Sequence, residues 1–322
     1  MKIYDLRGLP KSLLPQLAAF GVVEGDPSQD IVFIRRLLQL GLPSSKYFAV
    51  YAVDQGQVLS RVETLSLGFV GHGGPQPVVG ISDVLTRPDG SGRGFARALL
   101  EEVHRREVAA GRKWSFLWTH PSWGAHRLYE SLGYTDVYSP PVALRPVRSG
   151  LRRTPPRGYH WTVARAEDAS RLERLLWSAT AQRWGFVPRF PGSFRLRFGV
   201  GWRKPANHRI LLRGSRSVGY VHLGAVDRWR VVANEVVVVP GESAESMLDA
   251  LEGIARGRWL VLGMTSFTRD AAPLLESRGY SIHAKTHETL MAKRLASGSS
   301  LGDDVGPDCE DPRFSSHRGD MF

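Results

Sequence analysis

Apolar and polar residues follow two different spacings in the first half of the chain. Alternating or β-branched stretches at residues 47–53, 58–69 and 78–86 predict strands. Residues 54–56, Asp-Gln-Gly, separate the first two stretches and predict a hairpin turn. From Phe95 onward, apolar residues follow the i, i+3, i+4, i+7 spacing of a helix, which Gly111 ends.

The remaining segments of this half complete one folding unit. Further strands are predicted at residues 2–6, 113–119 and 134–138, and helical segments near 13–20, 31–40 and 125–132. Strands that are followed by helices and then by more strands indicate a mixed sheet with helices on both faces, rather than a doubly wound parallel sheet. The predicted fold class is therefore α/β, of the α+β kind.

An internal repeat indicates a second unit. The segment Leu128–Tyr134 reappears as Leu274–Tyr280, with five of seven positions identical. An apolar stretch precedes each segment, and further upstream an apolar strand ends at Pro88 in one half and at Pro240 in the other. Three landmarks in the same order predict two tandem copies of one fold.

Composition divides the chain between these copies. Residues 139–158 are rich in Pro, Gly and Arg, and proline breaks helices and central strands, so we expect a linker there. The predicted domains span residues 1–147 and 158–295. Residues 296–322 are rich in Ser, Gly and Asp, and we expect them to form a mobile tail.

Composition and charge narrow the class of protein. No run of about eighteen apolar residues occurs, so no membrane span is expected. The single cysteine, Cys309, excludes an intramolecular disulfide, and without a signal-peptide pattern a cytoplasmic protein is expected. The net charge of +12 would attract nucleic acid, acidic proteins or a polyanionic cofactor. The basic residues form no dense cluster, however, and suit a solvated surface equally well.

Candidate chemistry centres on the loop between the predicted strand at 78–86 and the helix that begins at Phe95. Its glycines let backbone N–H groups approach a ligand, and the helix points its positive end at the same place. Arg93 and Arg97 flank the turn and can add charge-assisted hydrogen bonds. These features indicate a diphosphate site, although a plain surface turn has a similar composition.

This loop and a second motif resemble the GNAT superfamily of N-acetyltransferases. The family's pyrophosphate-binding motif falls on six consecutive residues, Ser91, Gly92, Arg93, Gly94, Phe95 and Ala96. Ser91 stands where the family usually has Gln or Arg. The second motif falls on residues 122–134, with Ser122 in place of Asn and Tyr134 in place of Phe. The two motifs are correctly spaced, and the resemblance covers about residues 78–138.

The resemblance implies roles for the residues that match. Backbone groups of Val84, Leu85 and Thr86 would pair with the pantetheine arm of acetyl-CoA, and the loop from Gly92 to Arg97 would hold its diphosphate. Tyr129 would act as a general acid toward the departing CoA thiolate, since a phenol is protonated at neutral pH. No metal is expected, because the histidines form no ligand pattern with a cysteine or a carboxylate pair.

The identity of the base that accepts the proton of the amine stays open. Asp83 is the preferred candidate, because an apolar setting beside the acyl site would strengthen a carboxylate as a base. Glu63 and His120 are the alternatives, although for all three a structural role is the commoner explanation. Four tryptophans suit either an acceptor pocket or a core: Trp118, Trp123, Trp184 and Trp202.

The second copy lacks the residues on which this chemistry depends. Residues 240–246 contain no Gly-x-Gly, and they place Glu242 and Glu245 where a diphosphate would sit. Leu275 replaces the tyrosine. We therefore expect a non-catalytic second domain.

The predicted function is acetyl transfer from acetyl-CoA to a primary amine of a small molecule or a peptide, by direct attack, in a monomer or homodimer. One alternative is a non-catalytic acyl-CoA sensor or scaffold, which the departures at Ser91 and Ser122 favour. A third possibility is a nucleic-acid-associated protein, which the net charge favours. It is the less favoured possibility, because no basic stripe with interleaved aromatic residues occurs along the sequence.

Overall fold

The computed structural model contains two mixed sheets of seven strands each, packed against helices. It describes residues 1–18, 20, 47–71, 74–150, 156–185, 189, 191–199, 204–263, 266–283 and 288–296. The strands of this part of the chain are β1 (Lys2–Asp5), β2 (Tyr47–Asp54), β3 (Gln57–Gly71), β4 (Gly74–Thr86), β5 (Trp114–Thr119), β6 (Thr135–Tyr138), β7 (Val142–Pro146), β8 (Tyr159–Val163), β9 (His208–Arg213), β10 (Arg216–Val226), β11 (Arg230–Val238), β12 (Trp259–Leu262), β13 (Ser281–His283) and β14 (Thr289–Arg294). The α-helices are α1 (Phe95–Ala109), α2 (Gly124–Ser131), α3 (Ala169–Thr180), α4 (Ser193–Gly199), α5 (Ala244–Ile254), α6 (Ser266–Asp270) and α7 (Ala272–Ser277).

Both sheets have the same topology. The first has the order β1-β2-β3-β4-β5-β14-β6, and the second has the order β8-β9-β10-β11-β12-β7-β13. Within each sheet one pair is parallel, β4 with β5 and β11 with β12, and the other pairs are antiparallel. The predicted mixed fold class and the two tandem copies are confirmed.

The two sheets exchange one strand. β7 pairs with β12 and β13 of the second sheet, whereas β14 pairs with β5 and β6 of the first. The structure therefore differs from the linker that we expected over residues 139–158, because residues 142–146 form an interior strand. Pro146 is tolerated there, since it lies beyond Leu144, the last residue of β7 that pairs with β13. Each sheet is completed by a strand from beyond the predicted domain boundary.

Two local predictions in the first half are confirmed. The turn between β2 and β3 has positive φ angles at Gln55 (49°) and Gly56 (76°), as the type I′ hairpin turn requires. The helix that was predicted from Phe95 spans Phe95–Ala109, and Gly111 follows it with a φ of 80°. The helical segment expected at residues 31–40 and most of the tail from 296 lie outside the described residues.

The two faces of the first sheet differ in what covers them. On one face, buried Leu99 and Leu100 of α1 and Tyr129 of α2 pack against Val62 and Ile81 of the sheet. The opposite face buries two further apolar clusters along β2, β3 and β5. Any gap between neighbouring strands therefore opens toward helices on one side and toward a separate cluster on the other. None of the described helices is long and apolar enough to cross a membrane.

Candidate active site

The two central strands of the first sheet separate at their carboxyl ends. β4 and β5 are paired from Val78 to Gly80 and from Trp114 to Phe116, while β4 continues to Thr86 and β5 to Thr119. Val84, Leu85 and Thr86 lie in the part of β4 beyond this pairing. On its other edge the strand remains paired with β3 as far as Thr86. An extended ligand arm between β4 and β5 would therefore find one free strand edge.

A β-bulge bends β4 at this gap. Between the partners Arg61–Leu85 and Glu63–Ser82, β4 contains one residue more than β3 does. The bulge includes Asp83, whose φ of 43° is unusual for a residue other than glycine. A bulge re-aims the residues beside it, and this one lies in the part of β4 that no longer pairs with β5.

The glycine loop lies directly beyond β4. Gly92 and Gly94 have φ angles of 74° and 79°, which favour glycine, and a Cβ atom at either position would meet no atom of the described residues within 4 Å. Gly94 is the N-cap of α1 and supplies no side chain to the first backbone N–H groups of that helix. Because those groups have no partner within the helix, they are available to an anion. Phe95 is buried and anchors the helix start, and Ala96 and Arg97 follow in its first turn.

The predicted phosphate-binding arginines lie beside the loop and are held by neighbouring side chains. Arg93 donates a hydrogen bond of 2.6 Å to the carboxylate of Asp54, and its guanidinium lies 4.8 Å from the ring of Phe95. The pKa of Asp54 is lowered because the N-terminal ammonium and then Arg93 donate hydrogen bonds to it. Arg97 donates to the hydroxyl of Ser131 on α2 at 2.6 Å.

Ser91 has a short side chain, which forms no hydrogen bond with the residues that the structure describes. Ser91 is exposed and follows a 3₁₀ turn at Pro88–Gly90. Its backbone N–H bonds to the carbonyl of Pro88 at 3.2 Å. The groups that this loop offers to an anion are therefore its backbone N–H groups and the two arginines.

Tyr129 sits on α2 with its ring buried against the sheet. Only 6% of the residue is exposed, and burial raises the pKa of Tyr129 to about 12. Among the residues that the structure describes, none forms a hydrogen bond with its hydroxyl. The phenol is therefore protonated at neutral pH and can donate to a ligand.

Asp83 does not occupy the apolar setting that we expected. Its carboxylate is 41% exposed and lies 3.7 Å from the guanidinium of Arg61, which is itself buried. The same guanidinium lies 3.7 Å from the carboxylate of Glu63, which is also buried. Arg61 was not predictable as a partner of the two carboxylates, since only the pairing of β3 with β4 brings the three residues together.

The remaining candidate residues lie in two groups, one around His120 and one around Trp118. His120 accepts or donates a hydrogen bond of 2.8 Å at the hydroxyl of Ser122 and stacks on Trp123, which is 55% exposed. Trp118 and Trp184 lie in one apolar cluster, on the face of the sheet opposite α1. Trp202 lies outside the described residues.

Two unsatisfied polar groups lie at the end of β5. The indole nitrogen of Trp118 and the hydroxyl of Thr119 are buried and form no hydrogen bond with the residues that the structure describes. Leaving such a group unpaired costs about 1–3 kcal/mol, and its presence calls for an explanation such as a ligand or a bound water. Both residues lie beyond the part of β5 that pairs with β4, although they remain paired with β14.

A buried polar chain crosses the first domain and was missed by the sequence analysis. The Tyr134 hydroxyl lies 2.6 Å from the Ser115 hydroxyl and 2.8 Å from Nε2 of His104. Nδ1 of His104 lies 3.2 Å from the ammonium of Lys293 on the exchanged strand β14. Burial, followed by Lys293, lowers the pKa of His104 to about 4. The only signal in the sequence was the tyrosine that stands in place of a phenylalanine at position 134.

The corresponding loop of the second sheet is closed by its own side chains. Ser243 caps α5 by accepting the N–H of Ser246 at 3.3 Å. Glu242 is paired with Arg213 at 2.9 Å and accepts a hydrogen bond from the Tyr159 hydroxyl. Leu275, in the place of the tyrosine, is fully buried.

Sequence comparison agrees with this geometry. Residues 16–137 match the family model of the acetyltransferase (GNAT) domain. This part of the chain is a GNAT domain. No curated protein sequence matches the chain.

Solved structures extend the likeness in fold to both sheets of the chain. A protein of unknown function from Enterococcus faecalis, described as a probable N-acyltransferase, is 14% identical with a TM-score of 0.68, and the match covers 91% of this chain and 72% of that one. A GCN5-related N-acetyltransferase from Anabaena variabilis is 15% identical with a TM-score of 0.67, over 92% and 73% of the two chains. A tandem GNAT protein from the clavulanic acid biosynthesis pathway is 12% identical with a TM-score of 0.51, over 92% and 99%. At such identities the likeness establishes the tandem GNAT fold alone.

Proposed function

We propose that this protein transfers an acetyl group from acetyl-CoA to a primary amine, and that the first GNAT domain contains the active site. The observation that supports the proposal is the separation of β4 and β5 beyond Gly80, with the glycine loop and the open N-terminus of α1 directly after β4. Tyr129, whose phenol is buried and protonated, packs in the same apolar cluster as Val84 and Phe95. The catalytic unit is assigned to residues 1–147 together with β14.

Each part of the gap suits one part of the donor. The backbone of Val84, Leu85 and Thr86 would hold the pantetheine arm, because this edge of β4 lies beyond its pairing with β5. The loop from Gly92 to Arg97 would hold the diphosphate through backbone N–H groups. Arg93 lies within this loop and would join it by exchanging the carboxylate of Asp54 for a phosphate oxygen.

The residues around the gap suit direct transfer. Acetyl-CoA supplies an acetyl group activated as a thioester. As the amine nitrogen forms its bond to the acetyl carbon and the carbon–sulfur bond breaks, Tyr129 donates its proton to the sulfur. Tyr129 then recovers a proton from solvent.

The amine would enter from the face opposite α1 and α2, since the helices cover the other side of the gap. On that face the carboxylates of Asp83 and Glu63 each lie 3.7 Å from the guanidinium of Arg61. An exposed carboxylate such as that of Asp83 attracts an ammonium group. Asp83, the more exposed carboxylate, is assigned to accept the proton that the amine loses.

The second domain is assigned a supporting role. In its loop, the Ser243 hydroxyl accepts a backbone N–H of α5 that would otherwise face a diphosphate. The carboxylate of Glu242 likewise pairs with Arg213, a cation that would otherwise be open to a diphosphate. Its buried Leu275 has no proton to donate. Two exchanged strands join the second domain to the catalytic unit. The second sheet contains β7 from the first half of the chain, and the first sheet contains β14 from the second half.

Isothermal titration calorimetry with acetyl-CoA tests the assignment. Gly94→Glu places a carboxylate at the open N-terminus of α1, and Gly241→Glu is the matched control in the second domain. The two glycines have φ angles of 79° and 81°, and a Cβ atom at either position would meet no atom of the described residues within 4 Å. Both substitutions therefore introduce the same strain and the same charge.

We expect one site per chain in the wild type, lost in Gly94→Glu and kept in Gly241→Glu. Two sites per chain would contradict the non-catalytic second domain. Binding that is kept by Gly94→Glu would contradict the first-domain site. Binding without turnover on any primary amine in a screen would support the acyl-CoA sensor instead of the enzyme.

A further inference from the structure

Two exposed tryptophans and four arginines meet at the amino-terminal ends of β11 and β12. Trp229 is 66% exposed and Trp259 is 45% exposed, although most large apolar side chains of the second domain are buried. We call this surface the basic indole patch, and it consists of Arg228, Trp229, Arg230, Arg256, Arg258 and Trp259. Single exposed apolar residues are ordinary on protein surfaces, but two exposed indoles on neighbouring backbone segments, among cations, mark a candidate interaction site.

The parallel pairing of β11 with β12 creates the patch. In parallel neighbours the amino ends of both strands lie at the same end of the sheet, so Arg230 lies opposite Trp259. The N–H of Trp259 donates to the carbonyl of Trp229 at 2.8 Å, which holds the two residues side by side. Arg258 reaches back to the carbonyl of Asp227 at 3.4 Å. The two segments are about thirty residues apart in the sequence, which is why no basic stripe was visible along the chain.

The charge of the patch is strongly positive. Four guanidinium groups are present, and the one carboxylate within the same two segments is Asp227, which pairs with Arg230 at 3.2 Å. Asp227 also accepts the N–H groups of Trp229 and Arg230, and so it shapes the turn. Arg228 already lies over the ring of Trp229, at 4.6 Å from its centroid.

The patch is separate from the loops that correspond to a cofactor site. The glycine loop and its counterpart at Pro240 follow the carboxyl ends of β4 and β11. The patch lies at the amino end of β11. A ligand bound here would leave the gap between β4 and β5 open.

We propose that the basic indole patch binds single-stranded nucleic acid, with unpaired bases stacked on Trp229 and Trp259 and with phosphates paired to the arginines. Indole rings stack on any base, and arginines neutralise the backbone without reading the sequence. A duplex hides the base faces that the indoles would contact. An acidic peptide would pair with the arginines but leave both indoles uncovered, so the observations favour a nucleic acid. The inference is independent of the proposed transferase function.

Fluorescence anisotropy with labelled fifteen-nucleotide oligo(dT) and oligo(U) tests the proposal on the full chain, at salt concentrations from about 50 to about 200 mM. If Arg228, Arg230 and Arg258 contact phosphates, the logarithm of the binding constant should fall with a slope of about −2 against the logarithm of salt concentration. The double variant Trp229→Ala/Trp259→Ala should weaken binding about 30-fold or more, from the stacking of two bases. Arg228→Gln/Arg258→Gln should reduce the slope by about 1.4.

Trp177→Ala is the matched control, because Trp177 is an exposed tryptophan of α3 with 40% of its surface accessible. It should bind oligonucleotides as the wild type does, and circular dichroism of every variant checks that the fold is kept. Failure of the wild type to bind at the lowest salt concentration would overturn the proposal. So would equal binding by the double tryptophan variant, or duplex binding as tight as that of the single strand. Light scattering that shows a dimer lost in the tryptophan variants, with oligonucleotide binding unchanged, would overturn it in favour of a second copy of this chain.

Discussion

The buried polar chain at His104 makes stability depend on pH in a defined direction. The ammonium of Lys293 can only donate, so Nδ1 of His104 must accept from it and the ring proton must sit on Nε2. Nε2 then donates to the Tyr134 hydroxyl, which donates to Ser115. Protonation of His104 would place a second N–H against Lys293 in a buried site. The folded protein therefore resists protonation of this ring.

The size of the effect follows from the pKa. The ordinary pKa of a histidine is 6.5, whereas the pKa of His104 in the folded protein is about 4. Burial is the main cause of this lowering. Between these two values the unfolded chain binds more protons than the folded chain, so stability is fully present above about pH 6.5 and falls as the pH drops toward 4. Lowering the pH from about 7 to about 5 should remove about 2 kcal/mol of unfolding free energy through this one group.

Guanidinium chloride unfolding at pH 7, 6 and 5 measures this loss, with His104→Gln as the comparison. Glutamine can still accept from Lys293 and donate to Tyr134 but does not titrate. All other titrating groups are shared, so the difference between the two pH profiles isolates His104. We expect the wild type to lose about 2 kcal/mol more than the variant between pH 7 and pH 5. Parallel profiles would refute the assigned hydrogen-bond directions and the burial argument.

Two further predictions concern the candidate active site. Tyr129→Phe keeps the buried ring and removes the acidic proton, so turnover in an acetyl-transfer assay should fall about 100-fold or more while the acetyl-CoA dissociation constant stays near that of the wild type; unchanged turnover would remove the general-acid role. Asp54→Asn removes the carboxylate that competes with phosphate for Arg93, so acetyl-CoA should bind about two- to fivefold tighter in calorimetry, while a pantetheine thioester without the diphosphate should bind as before. Weaker acetyl-CoA binding in this variant would mean that Asp54 positions Arg93 for the ligand.

Sequence reasoning was most accurate for short-range features. The turn at residues 54–56 was predictable because Gly56 accepts a positive φ and apolar strands flank it. The glycine loop was predictable because its residues are consecutive, and its open space follows from the glycines themselves. The linker prediction failed at residues 142–146, since proline content describes the local backbone and not the partner strand β12.

The roles of single side chains were harder to predict, because partners decide them. Asp83 was given an apolar setting from its neighbours along the strand, whereas the guanidinium of Arg61 on β3 faces it in the structure. The polar chain at His104 joins residues from α1, β5 and β14 that are as much as 189 positions apart. The choice of Asp83 as base and of Tyr129 as acid stays a prediction until activity is measured.

The sequence by itself determined the local elements, the repeat of one fold and the backbone conformation of the glycine loop, because each depends on residues within a few positions of one another. Tertiary structure alone decided which strands completed each sheet, which cation met Asp83, and that two tryptophans from separate segments would share one basic surface. Hydrophobic spacing specifies which side of a strand is buried, but many registers and partners satisfy the same spacing. The contacts that distinguish them form only when the whole chain packs.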